Sequence, residues 1–316
     1  MKNSDNKAFK TSIGGQAIIE GIYMRGVDKQ STVVRRQDGS LVTKVEPVRV
    51  RKNEHAWLGW PFIRGVINFY DSMVQGMKSL TYSAELAPEE MQEEPSKFDL
   101  WVEKKLGMEK AQKFLIGVAV LLGFVMAIGL FVFLPTLLVS FLRLTDEQYV
   151  LRSVLEGVVK IAVFLGYLWV CSRMSEIQRL FSYHGAEHKT IFCYEHGHEL
   201  TVENVRREGR LHPRCGTSFL VVVILFSILI WCFIRISNPW LRMLVKLCLL
   251  PVIVSVTYEL NRWIGRHDEL WIAKILSWPG KQIQRITTNE PDDGMMEVAI
   301  TALKLVIPDR KGDDRW

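Results

Sequence analysis

Five of the seven histidines, His184, His188, His196, His198 and His212, fall within 29 residues of a 316-residue chain. In the segment YHGAEHKTIFCYEHGHEL the first two are four positions apart. On a helix through Ser182 to Thr190, about 400° of rotation returns both imidazoles to one face. Two neutral imidazoles so placed are ligands for a divalent transition ion such as zinc. Glu187 stands next to the second ring, where a carboxylate can take a proton from water acidified by the ion. The chemistry implied is metal-dependent hydrolysis of an ester or amide, with Arg214 assisting or holding an acidic substrate.

The order His-x-x-Glu-His is the reversed zincin arrangement, in which a later carboxylate completes the ligand set and the Glu of the motif serves as base. Candidates for the third ligand are His212 and Cys215, in HPRCGTSF, and Glu259, in TYELNRW. Each has an alternative as a hydrogen-bonding neighbour, and Glu259 also has Arg262 nearby in sequence. Gly185 lowers helix propensity inside the motif. His196 and His198, in EHGHEL, read as solvent-facing loop residues, and Cys193 as packing beside the site. No C-x-x-C spacing supports a thiol redox centre.

The elements that position these groups follow from segregation of apolar and charged residues. The chain is 48% apolar and 23% charged, with a mean hydropathy of +0.10. Yet 29 consecutive uncharged residues separate Lys113 from Arg143, and 20 separate Arg214 from Arg235. At about 1.5 Å per residue each is long enough to cross about 30 Å of hydrocarbon. An ordinary soluble globule is excluded, as are collagenous, disordered and disulfide-framework chains. Two further spans, Gly157 to Ser172 and Met243 to Tyr258, contain Lys160 and Lys246 near one end, where lysines are expected to snorkel.

The fold class read from this pattern is a mainly α-helical polytopic membrane protein, with about four transmembrane helices, interfacial helices and a mixed α/β cytoplasmic layer. Lys and Arg number 18 before Phe114 and seven between Arg173 and Arg214, but two in each of the short links at Arg143–Arg152 and Arg235–Arg242. By the positive-inside rule both termini and the histidine segment face the cytoplasm of a bacterial cytoplasmic membrane. The opening MKNSDNKAFK, lacking the apolar core of an export signal, agrees. Residues 1–113 form a glycine-rich, hairpin and interfacial-helix region and 114–172 a first transmembrane pair. Residues 173–214 form the histidine segment, 215–260 a second pair and 261–316 amphipathic helices. Trp169, Trp231, Trp240 and Trp263 fit interfacial anchors. Membrane lipids are the expected partners, with homo-oligomerisation open. The net charge of +6 comes with no base-reading module, which disfavours nucleic acid.

Within the first region, GGQAIIEGIYMRG lacks both G-x-G-x-x-G and G-K-[ST], so its glycines serve close backbone approach. Glu20 and Arg25 there either contact the site or pair structurally. Ser31 to Val50 reads as two strands joined near Asp38-Gly39, Trp57 to Leu80 as an interfacial helix, and Ala87 to Pro95 as an acidic link. An amphipathic approach follows at Lys97 to Lys113. Leu270 to Arg285 reads as a surface helix, and Asp292 or Asp293 starts a final helix through Leu305.

GGQAIIEGIYMRG, PFIRG at Pro61 to Gly65, YHGAEHKTI, HPRCGTSF and DDGMMEVAI together resemble the YqhQ family of bacterial membrane proteins, described as predicted metal-dependent enzymes. The resemblance runs from about Gly14 to Pro308. It implies a metal or polar site at His184, Glu187, His188, His212 and Cys215, and no substrate. A non-catalytic assembly protein with a structural metal cluster and an oligomeric transporter are the competing functional classes.

Overall fold

The computed structural model describes residues 9–49, 55–87, 96–310 and 312–315. Four strands, Gly14–Ile18 (β1), Gly21–Arg25 (β2), Lys29–Arg35 (β3) and Leu41–Pro47 (β4), form an antiparallel meander in chain order. The turn between β3 and β4 holds Gly39 at φ +82°, the backbone the Asp38-Gly39 pair announces. Glu20 turns the tight link between β1 and β2, and its carboxylate is taken by Arg179 and by the Tyr183 hydroxyl at 3.2 Å.

The helices are Ile63–Leu86 (α1), Lys97–Leu106 (α2), Met108–Ile128 (α3), Leu134–Ser140 (α4), Tyr149–Cys171 (α5) and Ser175–Glu195 (α6). Then come Val202–Arg207 (α7), Gly216–Trp231 (α8), Pro239–Arg266 (α9), Trp271–Thr287 (α10) and Asp293–Lys304 (α11). Asp292 caps the last of these by accepting from the Met295 amide at 2.8 Å. The acidic link expected at Ala87 to Pro95 lies almost wholly outside the described residues.

The chain divides into two compact units: Met1–Ala87 with Leu168–Val223 and Pro251–Trp316, and Pro88–Tyr167 with Ile224–Leu250. In the first, alternation along β2 sends Ile22 and Met24 to one face and Tyr23 to the other. Ile22, Met24 and Val33 pack on Tyr183, Ala186 and Cys193 of α6 and on Met296, Ala299 and Leu303 of α11. Ile18, Tyr23 and Val34 pack toward Leu80 and Leu86 of α1. With both faces covered, β2 and β3 are buried along nearly their whole length, β3 carrying Gln30, Ser31 and Thr32 inside beside Val33 and Val34, while edge strand β4 keeps Lys44 and Glu46 in solvent. α6 is therefore central: a helix of modest hydropathy is buried nearly throughout residues 183–195 because sheet and α11 enclose it.

The second unit exposes apolar side chains in quantity, among them Leu121, Leu122, Phe124 and Val125 of α3. Such a surface belongs in hydrocarbon. Among the described residues, three stretches, Lys110–Ser140, Asp146–Cys171 and Pro239–Arg266, are long and apolar enough to cross a membrane. The fourth apolar helix, α8, has 16 residues, about 24 Å at 1.5 Å per residue and short of a bilayer's ~30 Å. Past Trp231 the chain tightens into a turn, the Ile234 amide reaching the Trp231 carbonyl at 3.4 Å, and the Ser153 hydroxyl donates to the same carbonyl at 2.6 Å. Pro135 produces no break: a π-helical turn, Gly129–Phe133, precedes it and leaves it in the first turn of α4, where an amide is dispensable.

Two expectations are corrected in this unit. Lys246 does not snorkel; its ammonium is buried and donates to Glu156 at 2.6 Å and to Thr136 at 2.7 Å. Trp231 is no interfacial anchor, being buried with the Arg242 guanidinium 5.1 Å and the Lys246 ammonium 5.5 Å from its ring.

Candidate metal centre

α6 sets the His184 ring edge-on to that of His188, with ring centroids 4.4 Å apart. Each ring is aimed by the main chain. Nδ1 of His184 donates to the Thr287 carbonyl at 2.9 Å, and Nδ1 of His188 to the Arg210 carbonyl at 2.6 Å. With the proton fixed on Nδ1, each Nε2 is left for a ligand, the usual way metal-binding imidazoles are oriented. His184 Nε2 lies 3.2 Å from Cys215 Sγ. Ligand atoms of His184, His188 and Cys215 all fall within 4.8 Å of one another.

Cys215 precedes the first residue of α8, its carbonyl accepting from the Phe219 amide at 3.2 Å, so its sulfur sits at a helix amino end that favours a thiolate. Burial opposes the thiolate, but the charges and hydrogen bonds of His184 and His188 hold it well below the ordinary thiol range. Burial likewise disfavours the His184 imidazolium, and the facing thiolate pushes it up to about 9. The two thus form a thiolate–imidazolium pair, neutral overall, with one proton between His184 Nε2 and Cys215 Sγ where the three donor atoms meet.

Glu187 is 5% exposed. Its Oε1 accepts from the Gly15 amide at 3.1 Å, while Oε2 is buried with no hydrogen-bond partner among the described residues. Burial raises this carboxyl above the ordinary range, against the lowering charges of His184 and His188. Gly15 holds Glu187 by a contact that spacing along the sequence does not announce. A Cβ there would lie 2.7 Å from the Tyr23 carbonyl and 3.1 Å from Glu187 Cδ. Gly185 is required too: a Cβ would meet the Asn289 carbonyl at 2.0 Å, so the residue that weakens the helix lets another segment dock on it.

His212 and Arg214 form a layer behind this cluster. The buried Gln284 amide clamps the His212 main chain, accepting from its N–H at 2.8 Å and donating to its carbonyl at 2.7 Å. The His212 ring lies 5.6 Å from that of His188 and 4.5 Å from that of Phe192, and burial pushes its pKa down to about 4. It does not join the three converging ligands. Arg214 pairs with buried Glu195 and donates to the Thr11 carbonyl at 3.1 Å. Glu259 stands apart from the ligand cluster: Arg64, not Arg262, takes it, with Nε at 2.7 Å.

His196 and His198 are drawn together rather than left loose. Gly197, at φ +70°, turns the chain so that both Nδ1 atoms reach Glu208, at 2.9 and 3.0 Å. The Lys189 ammonium binds the Glu208 carbonyl at 2.8 Å. These contacts fix the stretch leading to Arg210, whose carbonyl aims His188.

A family model described as "Protein of unknown function (DUF1385)" matches residues 60–309. The chain is 31% identical over 287 residues to the "Uncharacterized protein YqhQ" of Bacillus subtilis (strain 168), covering 91% of this chain and 89% of that one. No solved structure matches. Whole-length similarity of this kind, including the segments that carry His184, His188 and Cys215, means that the chain belongs to the YqhQ family.

Proposed function

We propose that this protein is a metal-dependent membrane hydrolase whose centre is His184, His188 and Cys215 with Glu187 as base. The observation that carries the reading is the convergence of two carbonyl-anchored imidazoles and a thiol beside a buried carboxylate oxygen without a partner. Two nitrogens and one sulfur suit zinc, and three protein ligands leave a position for water. A divalent ion held there supplies Lewis acidity and lowers the pKa of water. Glu187 Oε2 takes the proton, and the Gly15 amide keeps the carboxylate from rotating away. Arg214, engaged by Glu195 and Thr11, positions the layer behind His188 rather than substrate.

Detergent-purified protein loaded with Co2+ is expected to show a thiolate-to-cobalt charge-transfer band. Glu187→Gln should keep that band while slowing turnover on an ester and amide panel by ~10²–10⁴-fold, the share a general base contributes. Absence of the band would overturn the metal assignment. The burial of His188 and Cys215 favours a second reading, a closed structural centre. That reading wins if the band is present, no panel member is hydrolysed and added azide leaves the cobalt spectrum unchanged.

We further propose four membrane crossings, α8 included, with both termini and the metal centre on the cytoplasmic side. The clustering of Lys and Arg before Phe114 and between Arg173 and Arg214 supports this orientation. A fluorescent protein fused after Trp316 should fluoresce and alkaline phosphatase at the same position should be inactive; the reverse pattern excludes the orientation.

A further inference from the structure

Among the described residues, one buried carboxylate in the second unit has several buried or half-buried cations around it. Glu156, 3% exposed, is the carboxylate at the centre. Arg242 Nε reaches its two oxygens at 3.0 and 3.1 Å, and Lys246 reaches one at 2.6 Å. Two further cations lie on the same helix as Glu156. Arg152 is 9% exposed and bonds only main-chain carbonyls, those of Leu144, Ile236 and Ser237. Lys160, one turn along α5, reaches the Ser227 hydroxyl at 3.4 Å. Among the described residues, no carboxylate pairs with either.

A bare surplus of this kind is costly in a low-dielectric setting, and ionisable groups inside membrane segments mark binding sites or pathways. One Arg–Glu pair would suffice to join α5 to α9. Here a cavity of about 370 Å³ opens beside the cluster, lined by Arg143, Arg152 and Arg242 against Asp146 and Glu156. Asp146 is held by the Ser237 hydroxyl. Three arginines line this one cavity, and guanidinium groups suit a tetrahedral oxyanion because they offer paired N–H donors. Exposed Leu138, Phe141 and Leu142 border the Arg143 side, apolar surface suited to an acyl chain.

We infer that this cavity is an anion site for a phosphoryl group, carried by an anionic lipid headgroup or by a soluble phosphate compound. The site belongs to the second unit alone and is independent of the metal centre. The phosphoryl oxygens accept from Arg143 and Arg152, while Arg242 remains held by Glu156.

The test uses the full chain in neutral detergent and follows its melting temperature. Phosphatidylglycerol, phosphatidylcholine and inorganic phosphate are titrated separately. A saturable rise of several degrees with phosphatidylglycerol, and none with phosphatidylcholine, supports the site with a lipid source. A saturable rise with inorganic phosphate supports it with a soluble source. The double variant Arg143→Gln/Arg152→Gln, which spares the Glu156 pairs, should weaken either response at least tenfold. If the double variant fails to fold, Arg143→Gln alone, at an exposed position, reports the same loss. Equal responses to both lipids with none to phosphate, no response at all, or an undiminished response in the folded variant each overturn the proposal.

Discussion

Cys215→Ser is expected to abolish the thiolate-to-cobalt band and to weaken zinc binding by roughly 10³-fold. The magnitude follows from ligand count. Structural zinc sites hold the ion with ~10–16 kcal/mol, so one of three protein ligands carries about 4 kcal/mol, which is three decades of affinity. The substitution keeps the size of the side chain and its place before α8, and the hydroxyl can still meet Thr217, whose Oγ1 lies 3.2 Å from the sulfur. What it removes is the thiolate that faces His184. Competition of purified protein with a chromophoric zinc chelator reads the change. Equal zinc affinity in wild type and variant would remove Cys215 from the ligand set.

Glu156→Gln is expected to destabilise the protein by ~3–5 kcal/mol, the usual cost of leaving a buried cation without its partner. Here a single neutralisation strands two cations, Arg242 and Lys246, in a site where Arg242 is 1% exposed. Against a typical stability of ~5–15 kcal/mol this is a large share. Adding Lys246→Met should recover part of the loss by removing one stranded charge. Unfolding in graded sodium dodecyl sulfate measures both variants. If Glu156→Gln unfolds at the wild-type midpoint, water or lipid already neutralises the cluster and the carboxylate is not its keystone.

Local spacing made part of this legible. Four positions between His184 and His188 place both rings on one helical face whatever surrounds them, and Asp292 caps its helix through a contact three residues away. The hairpin turn at Gly39 and the long apolar runs were readable for the same reason. Partner choice across the chain was not. Gly15 and Glu187 are 172 residues apart, and Arg64 and Glu259 are 195 apart, so only tertiary packing decides those contacts. Arg262 was the nearer candidate for Glu259 in sequence and lost to a residue on α1. Local sequence presents the cations at the ends of α5 and α9 only against lipid and water, where they read as topology signals. Glu156, which turns Arg242 and Lys246 into a buried network, is 86 and 90 residues from them.

The carbonyl that aims His184 has a consequence for biosynthesis. Thr287 is made 103 residues after His184, and at ~5–20 residues per second that is a delay of about 5–20 s. The Gln284 clamp on His212 emerges equally late. During that interval His184 and Cys215 exist as loose thiol and imidazole groups on a nascent chain. On the proposed metal centre, ion capture with the final ligand orientation would wait for α10 to dock, which would make metal loading a late step of maturation and leave Cys215 open to oxidation until then.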